Sequence, residues 1–577
     1  LLFRFYDTPC PVNKILPDLI RYNQNNQKME QNGYIGLVKS ALENYSELPA
    51  FSDFKGDTIT FREVGKYLYR CHRVYKALGI KEGDKVALIG RNSTNWALSY
   101  LGAVTYGAVV VPILPDFSPS DINHIVNHSG SVLLFTTDNI FEKIDETKMP
   151  GLKGIISVND FSVLVDNHEK VQKAVEKARQ EVKELGDSFN VSKIKFFEPK
   201  SGDLMVLSYT SGTSGFSKGV LLPHRSIWSN VQYARDKFDV VPGERFVSFL
   251  PLAHAYGCLF EFLWPFTEGC HITFLSRTPS PAIITEAFRK VKPHLILSVP
   301  LILEKIFKKQ ILPKLEKGSM KTLLKVPILN KVVYGKIKDR LVDVFGGEFR
   351  EMIVGGAALN RDVELFLRKI GFPLTIGYGM TECGPLISYA PWNGTKAHSA
   401  GQIVHRMEVK IDSDDPYNKV GEILVKGENN MLGYYKNKQA TDDMIDSDGW
   451  LHTGDLGVMD QDNFIFIKGR SKNMILGASG QNIYPEEIEA VINNKEYVQE
   501  CLVREDDGKI EALVYPDYES VDAQNLGDED IERILQNIKK EVNQELPAFM
   551  NISKIVLFPE EFEKTPKKSI KRYKYMS

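Results

Sequence analysis

Between Ser208 and Val220 the chain reads SYTSGTSGFSKGV. Gly212, Gly215 and Gly219 let backbone N–H groups approach anionic oxygens, the hydroxyls of Ser208, Thr210, Ser211, Thr213 and Ser214 add donors, and Lys218 supplies a cation. That chemistry suits a clasp for a polyphosphate. The Walker pattern is excluded, because it needs a lysine followed by Ser or Thr at the start of a helix, and Lys218 stands between Ser217 and Gly219. A mobile Ser/Gly linker is the plain alternative, but it leaves the flanking apolar runs Leu204 to Leu207 and Val220 to Leu222 unexplained. The pattern predicts a loop at the tip of two buried strands.

Further groups suit the rest of a nucleotide. Gly355, Gly356 and Ala357 follow an apolar run ending at Val354, and paired glycines let a flat base slide against backbone. Gly377-Tyr378-Gly379-Met380-Thr381-Glu382 offers a ring to stack on and, just beyond it, a carboxylate able to hold Mg²⁺ beside phosphates. Asp455 lies in the glycine-bearing stretch Gly449 to Gly457, with Arg470 after it. An aspartate held in a Gly-rich turn accepts both ribose hydroxyls, and a nearby arginine supports the same sugar. His254 follows a strand predicted over Arg245 to Leu250, at the strand end where α/β proteins place ligands. Singly, these residues have plainer readings as a core histidine, a turn and surface polar residues. His254, Cys258, Cys270 and His271 match no common zinc spacing.

In order and spacing these groups resemble the adenylate-forming superfamily of acyl-CoA synthetases, luciferases and peptide-synthetase adenylation domains. The resemblance implies roles for particular residues. Thr210, Ser211, Gly212, Thr213, Ser214, Gly215 and Lys218 hold the phosphates, Thr381 contacts the α-phosphate, and Glu382 with Thr213 binds Mg²⁺. Tyr378 stacks on adenine beside Gly355, Gly356, Ala357 and Gly379, while Asp455 and Arg470 hold the ribose. His254 lies by the carboxylate substrate. Lys472 is the hinge to a lid whose segment Gly477 to Glu489, including Gly480, turns toward coenzyme A. Two positions depart from the family pattern. Ser217 stands where proline is usual, which alters stiffness rather than charge. In the tail Lys564-Thr-Pro-Lys-Lys568-Ser569-Ile-Lys571, Ser569 occupies the usual lysine position and cannot supply a cation; Lys568 is taken as the replacement, with Lys571 as the alternative.

These residues need a scaffold, and 577 residues exceed a single core. At 43% apolar and 25% charged residues the composition is that of an ordinary soluble protein. The cysteines form no disulfide framework, so a reducing cytoplasm is expected. No apolar run is long enough to span a bilayer, and nothing resembles a secretory signal. Thr60 with Glu63 predicts a capping box, with a helix running until Gly79. Lys85 to Ile89, Asn95 to Tyr106 and Ala108 to Ile113 read as a βαβ unit, hence a covered parallel sheet. Asp166 to Gly186 reads as a solvated surface helix. His271 to Leu275 and Leu295 to Val299 read as strands continuing one sheet. After Lys472, strands at Leu502 to Val503, Ile510 to Tyr515 and Ile555 to Phe558 flank an amphipathic helix from Ile531 to Leu546.

From Arg289 to Arg340, fourteen Lys/Arg face three Asp/Glu in a chain of net charge −2. A solvated helix face is the default reading; docking on an anionic membrane is the other. The expected architecture is a large α/β N-terminal domain with buried sheets covered by helices, over residues 29–471, and a small mobile α+β lid over 472–577. Residues 1–28 form an extension given no role. The resemblance, strongest to long-chain fatty acyl-CoA synthetases, implies a ligase that uses ATP, Mg²⁺ and coenzyme A to activate a fatty acid as acyl-AMP and pass it to coenzyme A, with a substrate tunnel near Tyr256 to Phe266, Gly355 and Tyr389. Two alternatives stay open: transfer to a carrier protein, and a non-catalytic nucleotide or acyl-AMP binder.

Overall fold

The computed structural model describes residues 33–210, 218–276, 280–310, 327–476, 481–565 and 569–576. The largest sheet runs in the order Val163–Asp166, Gly154–Ser157, Ser131–Thr136, Lys85–Ile89, Val109–Ile113, Leu204–Thr210, Lys218–Pro223. Its centre is parallel, Lys85 opposite Val109, and both edges turn antiparallel. The βαβ unit is present, with helix Thr94–Tyr106 as the crossover and its own Trp96 and Leu101 fully buried. Helix Phe61–Ala77 starts on the Thr60/Glu63 capping box, the Thr60 N–H donating to Glu63 Oε2 at 2.7 Å. Gly79 takes φ +64° just past its end.

Two expectations on the elements are corrected. Asp166 to Gly186 is not one helix: Val163–Asp166 is an edge strand, and the helix covers Val171–Leu185. The Asp166 carboxylate accepts from the N–H groups of Lys170 and Gln172, 3.0 Å each, so it ends the strand and starts the helix. That helix is also docked, with Val171, Val175 and Ala178 buried and Arg73 donating to Glu181 at 2.6 and 3.0 Å. The second correction concerns sheet partners. His271–Phe274 pairs in parallel with Arg245–Ser248 on one side and with Pro49–Asp53 on the other, Phe51 lying opposite Ile272. Leu295–Ser298 belongs to a different sheet, with Glu351–Val354 and Leu374–Ile376. Hydrophobic periodicity reports that a strand exists, not which distant strand it meets.

Beyond these lies an antiparallel sheet of Met407–Asp412, Gly421–Gly427, Leu451–Met459 and Ile465–Arg470. The C-terminal residues pack around their own core of Ile488, Val503, Val514, Leu535 and Val542. There, strands Val498–Asp506 and Lys509–Pro516 are antiparallel, Lys554–Leu557 adds in parallel, and helix Asp528–Glu545 presents its apolar stripe.

Candidate active site

Thr210 and Lys218 face each other as the last and first residues of paired strands, and the half-buried Lys218 leaves that stem beside the site. The tip, with Ser211, Gly212, Thr213, Ser214 and Gly215, lies outside the described residues, as do Gly480 and Lys568. A further segment lies along the far edge of strand Lys218–Pro223. The Leu221 N–H donates to the Gly433 carbonyl at 3.0 Å, the Leu432 N–H to Leu221 at 2.9 Å and the Tyr435 N–H to Gly219 at 2.7 Å. This pairing brings the Tyr434 ring to 4.8 Å from the Lys218 ammonium. The Tyr434 hydroxyl donates to Glu382 Oε1 at 2.8 Å.

Thr381 and Glu382 lie in the short 3₁₀ turn Thr381–Cys383, one residue beyond Tyr378-Gly379. A Cβ on Gly379 would lie 2.1 Å from the Pro385 carbonyl oxygen, so only glycine allows the two backbones this approach. The Tyr378 hydroxyl donates to Asp455 Oδ2 at 2.7 Å, and Arg470 Nε donates to Asp455 Oδ1 at 2.8 Å. Asp455 and Arg470 stand opposite one another on neighbouring strands, so the aspartate sits on a strand, not in the Gly-rich turn expected. Burial raises the Asp455 carboxyl above its ordinary range, against the pull of Arg470 and the Tyr378 hydroxyl. Each carboxylate oxygen keeps a lone pair for another donor.

Gly355 follows strand Glu351–Val354, and a Cβ there would lie 3.3 Å from the Tyr256 ring, whose hydroxyl donates to the Ile353 carbonyl at 3.0 Å. Gly356, at φ +85°, and Ala357 are exposed at the end of that strand. His254 is half-buried, six residues beyond Ser248 where its strand stops, and opens the short helix Ala255–Gly257. Two side chains that sequence reasoning missed hold the connecting segment. Glu261 Oε2 accepts from the N–H groups of Phe249 and Leu250, 3.0 Å each. Asn92 accepts from the Leu252 N–H at 3.0 Å and donates to the Leu250 carbonyl at 2.7 Å. Glu261 is 1% exposed, and burial pushes its carboxyl well above the usual range. It lay hidden as one charge inside an apolar run. Tyr434 went unnoticed as well; its signal was an aromatic pair after Gly433, informative only once the strand partner is known.

Lys472 is exposed, in the turn Ser471–Asn473 just after Arg470. In the tail, Thr565 donates its N–H to the Ser569 carbonyl at 2.8 Å. Lys571 pairs with Glu563 at 2.5 Å, and Lys564 with Glu500 at 2.9 Å. Tyr389 is buried, its hydroxyl donating to Glu351 Oε2 at 2.6 Å and its ring 5.2 Å from Phe238.

Among the described residues no three His, Cys, Asp or Glu side chains gather to hold a metal by themselves. Glu382 is a solitary carboxylate with one oxygen held by Tyr434. Such a donor fits Mg²⁺, which takes one or two protein carboxylates and completes its shell with phosphate and water.

Lys218, Tyr434 and Glu382 thus form one contact group and Tyr378, Asp455 and Arg470 another, and the short stretch from Tyr378 to Glu382 joins the two along the chain. A family model described as AMP-binding enzyme matches residues 38–435, and one for the AMP-binding enzyme C-terminal domain matches residues 472–577. The chain belongs to the AMP-binding enzyme family. Among its relatives is long-chain-fatty-acid--CoA ligase 5 of Rattus norvegicus, 29% identical, covering 87% of this chain and 80% of the relative. The long-chain-fatty-acid--CoA ligase of Salmonella typhimurium is 29% identical over 81% of this chain and 82% of its own. The superfamily resemblance is borne out. The fold of this AMP-binding enzyme is shared with the anthranilate CoA ligase AuaEII in complex with anthranoyl-AMP, at TM-score 0.75, 19% identity and coverage of 94% and 96%. It is shared also with ATP-bound MatB from Rhodopseudomonas palustris, at TM-score 0.73, 21% identity and coverage of 94% and 98%.

Proposed function

We propose that this AMP-binding enzyme is an ATP-dependent acid–thiol ligase that joins a fatty acid, long-chain by preference, to coenzyme A. The observation that carries the proposal is the unbroken contact set from Lys218 through Tyr434 to Glu382, and from Tyr378 through Asp455 to Arg470. Relatives named long-chain-fatty-acid--CoA ligases support the choice of acid and of acceptor. The family match beginning at residue 472 supports placing the domain boundary at Lys472.

In this reading the fatty carboxylate attacks the α-phosphorus of ATP, the bond to pyrophosphate breaks, and acyl-AMP forms. The thiolate of coenzyme A then attacks the acyl carbon and AMP leaves. Lys218, Thr210 and the loop hydroxyls draw charge off the phosphates, and Thr381 steadies the α-phosphate. Tyr378 stacks on adenine against Gly355, Gly356, Ala357 and Gly379, while Asp455 and Arg470 fix the ribose so that the α-phosphorus faces the carboxylate near His254. Glu382 and Thr213 would hold Mg²⁺, which supplies charge neutralisation as pyrophosphate departs. The ion pair of Lys571 with Glu563 supports assigning the adenylation cation to Lys568 rather than Lys571. Gly480 belongs to the segment assigned to the coenzyme A step, reached when the lid turns about Lys472. Tyr256 and Gly355, in contact, support a tunnel wall there; Tyr389 serves it through the aromatic packing behind.

Contact of residues 289–340 with anionic lipid is part of the proposal, supported by the exposed Leu301 and Val332, at 49% and 54%, among the basic residues. Vesicle co-sedimentation indifferent to anionic lipid and to salt would overturn it. No helix among the described residues is long and apolar enough to cross a membrane. A reducing, cytoplasmic setting is proposed on the free, buried thiols of Cys71, Cys258, Cys270, Cys383 and Cys501.

AMP release with palmitate, with and without free coenzyme A, tests the proposal. Release that depends on both is expected. Release that ignores coenzyme A but responds to an acyl-carrier protein points to the carrier reading, and no release under any of these conditions points to a binder.

A further inference from the structure

One tyrosine touches a lysine and a glutamate of opposite charge, the first at its ring and the second at its hydroxyl. Lys218 and Glu382 must both remain available to a nucleotide, yet a lysine and a carboxylate within reach of each other close into an ion pair. Tyr434 contacts both. Its ring face lies 4.8 Å from the Lys218 ammonium, and its hydroxyl donates to Glu382 Oε1 at 2.8 Å. A π-face attracts the ammonium without neutralising it, and a hydroxyl fixes a carboxylate while leaving its charge in place.

The tyrosine is itself held firmly. Its N–H donates to Thr441 Oγ1 at 2.8 Å, its backbone bridges to Val220, and its side chain is 6% exposed. The Met431 N–H donates to the Glu382 carbonyl at 2.8 Å, so the segment carrying Tyr434 is tied at one end to the glutamate and along its length to the strand that begins with Lys218. At Gly433, φ +138°, a Cβ would lie 2.6 Å from the Thr441 side chain, and this close approach sets the tyrosine's position.

We propose that Tyr434 is a positioning residue that keeps Lys218 and Glu382 apart and separately oriented, the ring seating the lysine for the phosphates and the hydroxyl aiming the glutamate at the cation that accompanies them. The inference rests on the nucleotide-site reading above. It makes the two halves of Tyr434 separable by substitution.

The test is calorimetric binding of ATP, once with Mg²⁺ and once with EDTA, to the full chain and to Tyr434→Phe and Tyr434→Leu, each alone and with Glu382→Gln. Tyr434→Phe keeps the ring and loses the hydroxyl. It is expected to bind Mg·ATP about tenfold more weakly, and metal-free ATP within about twofold of the parent. Tyr434→Leu removes both and weakens both forms. In the Glu382→Gln background, Tyr434→Phe should cost less than about twofold, because the partner it aims is already changed. The proposal is overturned if Tyr434→Phe binds Mg·ATP as the parent does, or if its loss persists undiminished beside Glu382→Gln. A parent chain that binds ATP in neither form overturns the nucleotide-site reading itself, and this is seen before any variant is made. Should Tyr434→Leu fail to fold, Tyr434→Phe still decides.

Discussion

At the scale of single residues, Asp455 carries the clearest pH signature. Burial raises its carboxyl pKa, and the Tyr378 hydroxyl and the Arg470 guanidinium oppose that rise. In the proposed role the ionised aspartate accepts the ribose hydroxyls, so nucleotide affinity should fall as pH drops through this raised value. Tyr378→Phe removes a hydrogen bond that favours the ionised form, and the acid limb of nucleotide binding should therefore begin at a higher pH than in the parent. A titration of AMP affinity from neutral to acid pH checks this; an unmoved limb would show that the hydroxyl does not tune the aspartate. Asp455, Tyr378, Glu382 and Lys218 were legible in the sequence because their motifs are local. Tyr434 was not: its partners Lys218 and Glu382 are remote in sequence, and only the pairing of segment 431–435 with strand Lys218–Pro223 brings them together.

At the scale of elements, the strands Leu204–Thr210 and Lys218–Pro223, the βαβ unit and the capping box at Thr60 follow from alternation, spacing and side-chain capping, which a sequence displays directly. Sheet partnership does not: nothing near His271 announces that its neighbour is Pro49–Asp53. The segment leading to His254 shows how a missed residue governs an element. Glu261 satisfies the buried N–H groups of Phe249 and Leu250 at the point where strand Arg245–Ser248 ends. Glu261→Leu should leave both unpaired and cost about 2 to 4 kcal/mol of stability, whereas Glu261→Gln, which keeps a neutral acceptor, should cost less than about 1 kcal/mol. Denaturant unfolding distinguishes the two; equal losses would mean that side-chain volume, not the acceptor, holds the segment.

At the scale of the whole molecule, the C-terminal domain has its own core, and its contacts with the large domain include Arg361 with Glu487 at 3.5 Å and Asn494 donating to Asp362 at 2.7 Å. Exposed polar contacts of this kind contribute little stability, about 0 to 1 kcal/mol each, and such an interface permits one domain to turn on the other. This suits the two unlike half-reactions proposed for one nucleotide site. The first half-reaction isolates the central claim, that the residues joined through Tyr434 and Asp455 serve a single ATP whose α-phosphate is offered to a carboxylate. The decisive measurement is acid-dependent exchange of labelled pyrophosphate into ATP without coenzyme A, with acids scanned from acetate upward. The account predicts exchange that appears with the longer fatty acids and is greatest there; no exchange with any acid would contradict it.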